Sequence, residues 1–271
     1  MRTKYRKILL AWALFGLMTS TMWGHDLYFR PPVTKVPAGS PQSIAMHNGD
    51  SFPSSDGPPV LARLRDMAVI SAGGKKELQR VRVEGKAGMA DYEAPKGSFV
   101  VTARTIPNLL ELDPKSFESY LEHENLKHVI QWRAQNGESQ KKSREFYSKN
   151  AKALMNLDED DFALRPVGLP VEIVLLKNPS KLKVGDQLPV QVLFDGRPAT
   201  ALMVEVSWTP RKRKEHTWVG PTDQEGKLLI PVEALGFWKL HCIVMQRKAD
   251  TSKADWESSW ASVTFAMGPS Y

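Results

Sequence analysis

The sequence has 271 residues, of which 42% are apolar and 25% charged, a composition that indicates a globular protein and excludes a disordered chain. Its formal net charge is +7, and its single cysteine, Cys242, excludes an internal disulfide. No run of 18 or more apolar residues follows residue 24, which excludes a membrane-spanning helix in that part of the chain.

The first 24 residues have the pattern of a secretory signal peptide. Four basic residues in MRTKYRK precede an apolar run at 8–18, and small residues follow. We expect cleavage after Gly24, which makes His25 the first mature residue; an uncleaved amphipathic anchor is the alternative. Cleavage removes four positive charges and no negative ones, so the net charge falls from +7 to +3. The basicity therefore does not indicate nucleic-acid binding, and the expected location is the periplasm.

Residues 25–106 are predicted to form an N-terminal antiparallel β-sandwich. Short apolar runs alternate with turn-forming segments, as is typical of this class. The runs are SIAMHN, MAVISA, QRVRVEG and SFVVTAR, and the turns are PAGSP, SSDGPP, AGGKK and APKGS.

Residues 107–162 are predicted to form a helical insert. Asp113 can cap the first helix, and Pro114 suits its first position. An apolar face with helical spacing follows, at Phe117, Tyr120 and Leu121. A second helix is expected after Asn125 and ends before Gly137, and a third is expected at about 138–157.

Residues 163–271 are predicted to form a second β-sandwich, similar to immunoglobulin or transthyretin domains. The candidate strands are VEIVLL, LPVQVLF, MVEVSWT, KLLIPV, WKLHCIVMQR and WESSWASVTF. On a strand, Cys242 shares one face with Trp238, Leu240 and Val244, which predicts a buried apolar role for the thiol.

His25 is the strongest candidate for a metal ligand. A chain that starts with histidine offers an α-amine and an imidazole on one residue, and nitrogen donors suit Ni(II), Cu(II) and Zn(II). His47 and Asp50, in AMHNGDSFP, are the further candidate ligands. Asp26 is a poor one because neighbouring strand residues face opposite sides. In the alternative, His25 simply starts an edge strand and His47 bonds to backbone beside a turn.

The chain also resembles a family of periplasmic proteins of unknown function described as NikM-like, in connection with nickel or cobalt uptake. The segments that carry the resemblance are HDLYFRP, the helical insert, RPVGLPVEIV, FDGRPATALMVEV, TDQEGKLLIPVEALGFWKL and ADWESSWASVTF. The resemblance implies handling of nickel or cobalt. It departs at Val244 and Met245, where the family often has a His-Met pair.

Two functions are expected from the sequence. The first is a non-enzymatic accessory protein for uptake or homeostasis of nickel, cobalt or copper, with a metal permease or an outer-membrane receptor as its partner. The alternative is a β-sandwich module that binds protein or carbohydrate without metal, through a stacking surface at Trp208 and Trp218. For these two tryptophans, ordinary packing is the other interpretation. Signatures such as G-x-S-x-G, the P-loop and H-E-x-x-H are absent from the sequence.

Overall fold

A computed structural model describes residues 25–209 and 216–269, so the predicted signal peptide lies outside the described residues. Within these ranges the chain is mainly β with two α-helices, which confirms the predicted class. None of the helices in these ranges has the length and apolar character that crossing a membrane requires.

The strands that precede the helices are β1 (Asp26–Arg30), β2 (Pro41–Gly49), β3 (Leu64–Ser71), β4 (Gly74–Glu77), β5 (Gln79–Glu84), β6 (Ala87–Glu93), β7 (Phe99–Thr105) and β8 (Asn108–Leu112). The helices are α1 (Pro114–His123) and α2 (Lys127–Gln135). The strands that follow are β9 (Ser143–Met155), β10 (Val171–Leu175), β11 (Gln187–Phe194), β12 (Arg197–Pro198), β13 (Met203–Thr209), β14 (His216–Pro221), β15 (Lys227–Pro231), β16 (Gly236–Arg247) and β17 (Trp256–Met267). Short 3-10 helices lie at Leu61–Arg63, Phe162–Leu164 and Pro179–Lys181.

These strands form three sheets. The first has the order β1-β2-β6-β5, and the second joins β10, β11, β12 and β15 around β11. A central sheet of nine strands runs β14-β13-β16-β17-β9-β7-β3-β4, with β8 also paired to β9. Its pairs are antiparallel except β17 with β9, which run parallel.

The central sheet serves both sandwiches, because alternate residues of its middle strands face opposite sides. On β9, Ala151, Ala153 and Met155 pack with the first sheet, whereas Leu154 packs with the second. On β17, Val263 and Phe265 also face the second sheet. The two predicted sandwiches therefore share the central sheet. The first sheet packs on one of its faces and the second sheet on the other.

The two helices form as the sequence predicts. The Asp113 carboxylate caps α1 by accepting from the backbone N–H groups of Lys115 and Ser116, and Pro114 is its first residue. The predicted apolar face is buried, and it packs with α2 residues against the outer ends of β16 and β17. The members of this cluster include Phe117, Tyr120, Leu121, Val129, Met245, Trp256 and Trp260.

The third predicted helix, at about 138–157, is wrong, because residues 143–155 form strand β9. The polar residues of the segment KNAK in β9 do not have the pattern of a strand, yet they are buried. Lys149, Asn150 and Lys152 are all at most 8% exposed. Each has a polar partner from another segment, so burial does not leave these groups unsatisfied. A buried strand between two neighbours needs no alternation of apolar and polar residues.

Of the two interpretations of Trp208 and Trp218, the structure supports ordinary packing and not an exposed stacking surface. Trp208 is 4% exposed and stacks on Trp238 with ring centroids 5.1 Å apart. Trp218 is half-buried and packs against the same core. The tryptophans therefore belong to the sandwich core.

Cys242 is a buried free thiol on the predicted face, and burial raises its pKa far above the usual range.

One ion pair lies between the central sheet and the second sheet. Lys152 Nζ is 2.8 Å from Glu172 Oε1, and both side chains are at most 3% exposed. The Glu172 carboxylate also accepts from the backbone N–H groups of Val167, Gly168 and Leu169. Burial lowers the pKa of the Lys152 ammonium, which Glu172 only partly offsets.

The two halves of this pair should therefore differ in their contribution to stability. Glu172→Gln leaves a buried ammonium without a counter-charge and should lower the free energy of unfolding by about 3–5 kcal/mol. Lys152→Met should cost less than half as much, because Glu172 keeps its three backbone donors. Urea unfolding of both variants and of the double variant measures the difference; equal costs would contradict this account.

Candidate metal centre at the start of the first strand

Side chains of the central sheet fix the position of β1, the edge strand of the first sheet. The Lys149 ammonium donates to the carbonyl oxygen of His25. The Ser262 hydroxyl donates to the carbonyl of Leu27 at 2.5 Å, and the Thr264 hydroxyl donates to that of Phe29 at 2.9 Å. Three carbonyls along one side of β1 are thereby satisfied, and His25 has a defined place above the central sheet.

Three side chains meet at this point. His25 Nδ1 lies 3.3 Å from Asp50 Oδ1 and 3.1 Å from Asp56 Oδ2. Candidate ligand atoms of these three residues all lie within 4.8 Å of one another, and they are the one such group within 25–209 and 216–269. His25 Nδ1 is buried, yet it makes no well-aligned hydrogen bond. We call these residues the His25 cluster.

The loop after β2 brings both carboxylates to His25. Asp50 directly follows β2, and its backbone N–H donates to Asp56 Oδ2 at 3.0 Å. The backbone N–H of Asp56 donates to the carbonyl of Asn48, which closes the loop. Burial raises the pKa of the Asp50 carboxyl. The attraction of His25 lowers this pKa, but it offsets the effect of burial only in part.

The distances in the His25 cluster fit a bound metal ion. Two ligands about 2.1 Å from one ion, in tetrahedral or octahedral geometry, lie about 3.0–3.4 Å apart. The two nitrogen–oxygen distances, 3.3 Å and 3.1 Å, fall in this interval. A nitrogen with two carboxylate oxygens is a donor set for a divalent transition metal.

The structure brings His25 and Asp50 together but does not add His47 to them. His47 pairs with Tyr28 across β1 and β2, so it occupies the opposite face from His25. Its Nδ1 lies 3.1 Å from the carbonyl of Pro53, and burial lowers its pKa. This is the backbone contact that the alternative interpretation of His47 describes. The third cluster member, Asp56, belongs to SSDGPP, which the sequence marked only as a turn.

A second group of charges lies on the other side of β1. The Lys239 ammonium pairs with Asp26, and His241 Nδ1 is 3.2 Å from Asp26 Oδ1. His241 Nε2 is 3.8 Å from Glu124 Oε2, and His123 Nδ1 is 3.0 Å from Glu124 Oε1. We call these residues the Asp26 network. Asp26 thus faces away from His25, as strand alternation predicts.

The Asp26 network shifts the pKa values of its members toward their charged forms. Burial alone would raise the pKa of Asp26, but His241 and Lys239 outweigh burial and lower it. The carboxylates of Asp26 and Glu124 likewise outweigh burial at His241 and raise its pKa. The hydrogen bond to Glu124 raises the pKa of His123 to about 9. On this side of β1 each buried carboxylate therefore has a cationic partner within the network.

These features define a β-sandwich protein with a histidine–carboxylate cluster at the start of its first strand. The chain belongs to the family described as "Domain of unknown function (DUF4198)", whose model matches residues 22–246. That description names no metal and no transport activity. Of the NikM-like resemblance, it supports only membership of a family of unknown function. No curated protein matches the chain.

Three solved structures show a weak likeness. The D0-D1 domain of intimin has 12% identity and a TM-score of 0.22, covering 89% of this chain and 97% of its own. A tetra-tandem repeat from a large adhesion protein has 8% identity and a TM-score of 0.21, covering 89% and 49%. Latent PorU from Porphyromonas gingivalis has 11% identity and a TM-score of 0.21, covering 91% and 19%. TM-scores this low carry no argument about function.

A buried carboxyl on β9 lies below the helices. Glu145 is fully buried; its Oε1 accepts from the hydroxyls of Ser258 and Tyr120, and its Oε2 has no hydrogen-bond partner. Burial raises the pKa of Glu145 from 4.5 to about 7. The folded protein therefore binds one more proton than the unfolded chain between these two pH values, and stability falls as pH rises through this window.

Glu145→Gln should remove this dependence, because an amide keeps the acceptor oxygen and carries no charge. The variant should match the wild type near pH 4.5 and exceed its free energy of unfolding by up to about 3 kcal/mol above pH 7. Urea unfolding from pH 4.5 to 8.5 measures the difference. A constant offset across this range would show that Glu145 does not titrate in this way.

Proposed function

We propose that the protein is a non-enzymatic periplasmic protein that binds a divalent transition metal at His25, Asp50 and Asp56. One observation carries the proposal: a buried imidazole nitrogen without an aligned hydrogen bond lies 3.1 Å and 3.3 Å from two carboxylate oxygens. Such spacing matches that of ligands around one ion. We further propose that this binding serves metal uptake or homeostasis, with a metal permease or an outer-membrane receptor as partner.

Cleavage after Gly24 would add a fourth ligand. The α-amine and Nδ1 of the same histidine close a chelate ring on one metal, and Nδ1 is the atom that faces the carboxylates. An amine with an ordinary pKa of about 7.7–8.0 loses its proton to a metal near neutral pH. Two nitrogens and two carboxylate oxygens suit nickel, cobalt and copper in the divalent state.

The exposure of the His25 cluster suits a carrier. The side chains of Asp50 and Asp56 are 40% and 48% exposed, whereas that of His25 is 19% exposed. One side of the cluster is therefore open to solvent, so a bound ion can exchange with a partner protein without unfolding of the sandwich.

The second candidate function is a binding module for protein or carbohydrate without metal. It is favoured by the family description, which names no metal, and by the same cluster geometry, because a histidine beside exposed aspartates also forms ordinary ion pairs. A metal titration separates the two candidates.

The processed protein, with its N-terminus established by mass spectrometry, should bind Ni(II), Co(II) or Cu(II) with a dissociation constant below about 10 μM, equivalent to about 7 kcal/mol. His25→Ala and Asp56→Asn should each weaken binding at least tenfold, because each removes a ligand. His47→Ala is the matched control and should bind like the wild type. Isothermal titration calorimetry measures all four.

A form with one extra residue before His25 tests the α-amine separately, because it keeps the imidazole and moves the amine away. We expect weaker binding than in the processed protein. If no metal binds below 10 μM, or if His25→Ala and His47→Ala bind alike, the metal proposal fails and the metal-free binding module becomes the better account.

A further inference from the structure

A cavity of about 120 Å³ opens beside His25. Its lining includes the apolar side chains of Leu27, Pro59 and the exposed Val60. The lining also includes the polar side chains of Lys149, Arg63 and Tyr147. The Asp26 network and the two aspartates of the His25 cluster do not line it.

The lining holds two cationic side chains, and the carboxylates that act electrostatically on Lys149, namely Asp26, Asp50 and Glu124, lie outside the cavity. Lys149 is 8% exposed, and its ammonium donates to the carbonyl of His25 and, at 3.2 Å, to Asn48 Oδ1. In the described part of the chain, no carboxylate lies within ion-pair distance of Lys149 or Arg63. Burial of a cation that has hydrogen bonds but no adjacent carboxylate costs free energy, which a bound anion would offset.

Arg63 also has one N–H donor without a hydrogen-bond acceptor. Its Nη1 donates to the Tyr147 hydroxyl at 2.8 Å and its Nη2 to the carbonyl of Ile106 at 3.2 Å, but its Nε is buried without a hydrogen-bond partner. The guanidinium carbon lies 4.7 Å from the centre of the Tyr147 ring, and the Lys149 nitrogen lies 5.7 Å from the same centre. One ring therefore positions both cations.

We propose that this cavity binds a small organic carboxylate, with its charged group at Lys149 and Arg63 and its carbon chain against Leu27, Pro59 and Val60. Guanidinium and ammonium donors form strong charge-assisted hydrogen bonds with carboxylates. A cavity of 150 Å³ accommodates benzene, so about 120 Å³ admits a ligand of roughly six non-hydrogen atoms or fewer. The apolar residues in the lining favour such a ligand over phosphate or chloride.

His25 lines this cavity and also belongs to the His25 cluster. A carboxylate in the cavity would therefore lie beside a bound metal, a part of the inference that rests on the proposed function. The metal would then be carried together with a small carboxylate. Carboxylate binding itself requires only Lys149 and Arg63.

Propionate is the probe for the test, measured by saturation-transfer NMR on the processed, chelator-treated protein. We expect a dissociation constant below about 1 mM and weaker binding of phosphate. Arg63→Gln and Lys149→Met should each weaken propionate binding at least tenfold. The matched controls are Arg104→Gln and Lys248→Met, whose parent side chains pair with Asp66 and Glu257 outside the cavity. Arg63→Gln keeps the test valid if Lys149→Met disturbs His25.

The Asp56→Asn variant separates this inference from the proposed function, because Asp56 does not line the cavity. It should lose metal and keep propionate. If no metal binds to the wild type but propionate binds and is lost in Arg63→Gln, the cavity assignment holds and the metal proposal fails. The cavity assignment is overturned if propionate binds with a dissociation constant above 10 mM, if phosphate binds better, or if Arg63→Gln binds like the wild type.

Discussion

The attachment of β1 to the central sheet is the interaction on which the rest of the structure depends. An edge strand has one row of unpaired backbone groups, and here the Lys149, Ser262 and Thr264 side chains donate to three carbonyls in that row. These donors come from β9 and β17, the two parallel strands in the middle of the central sheet. The bonds close the first sandwich and place His25 at its rim.

The sequence predicts those parts of the fold that local patterns determine. Capping by Asp113 and the apolar spacing of α1 are local properties, and so is the alternation of buried and less buried residues along β11. The prediction for strand β9 is wrong because Lys149 and Lys152 resemble residues on the exposed face of a helix. Their partners, His25 and Glu172, are 124 and 20 residues away in sequence. No local pattern shows that a lysine is buried and hydrogen-bonded to a residue far away in sequence.

The same distinction applies to the candidate site. His25 and Asp50 can be selected from sequence, because a histidine after a cleavage signal and an acid after a strand carry recognisable chemistry. Asp56 joins them only through the path of its loop, and Lys149 and Arg63 reach His25 from β9 and from a 3-10 helix. His47 is a candidate because pairing of the first two strands would bring it near the N-terminus; the strands do pair, but their register directs His47 to the other face.

The charged groups on the two faces of β1 are arranged differently, which explains why the proposed metal and carboxylate bind on only one face. Asp26 and His25 are neighbours in sequence, yet they enter different charge groups. In the Asp26 network every carboxylate has a cationic partner, namely Lys239, His241 or His123, so the charges are matched within the protein. On the His25 side the carboxylates and the cations are segregated: Asp50 and Asp56 share one imidazole, whereas Lys149 and Arg63 lie in a cavity without a carboxylate. A metal cation at the first group and a small anion at the second would supply the close charge partners that the Asp26 network finds among its own members.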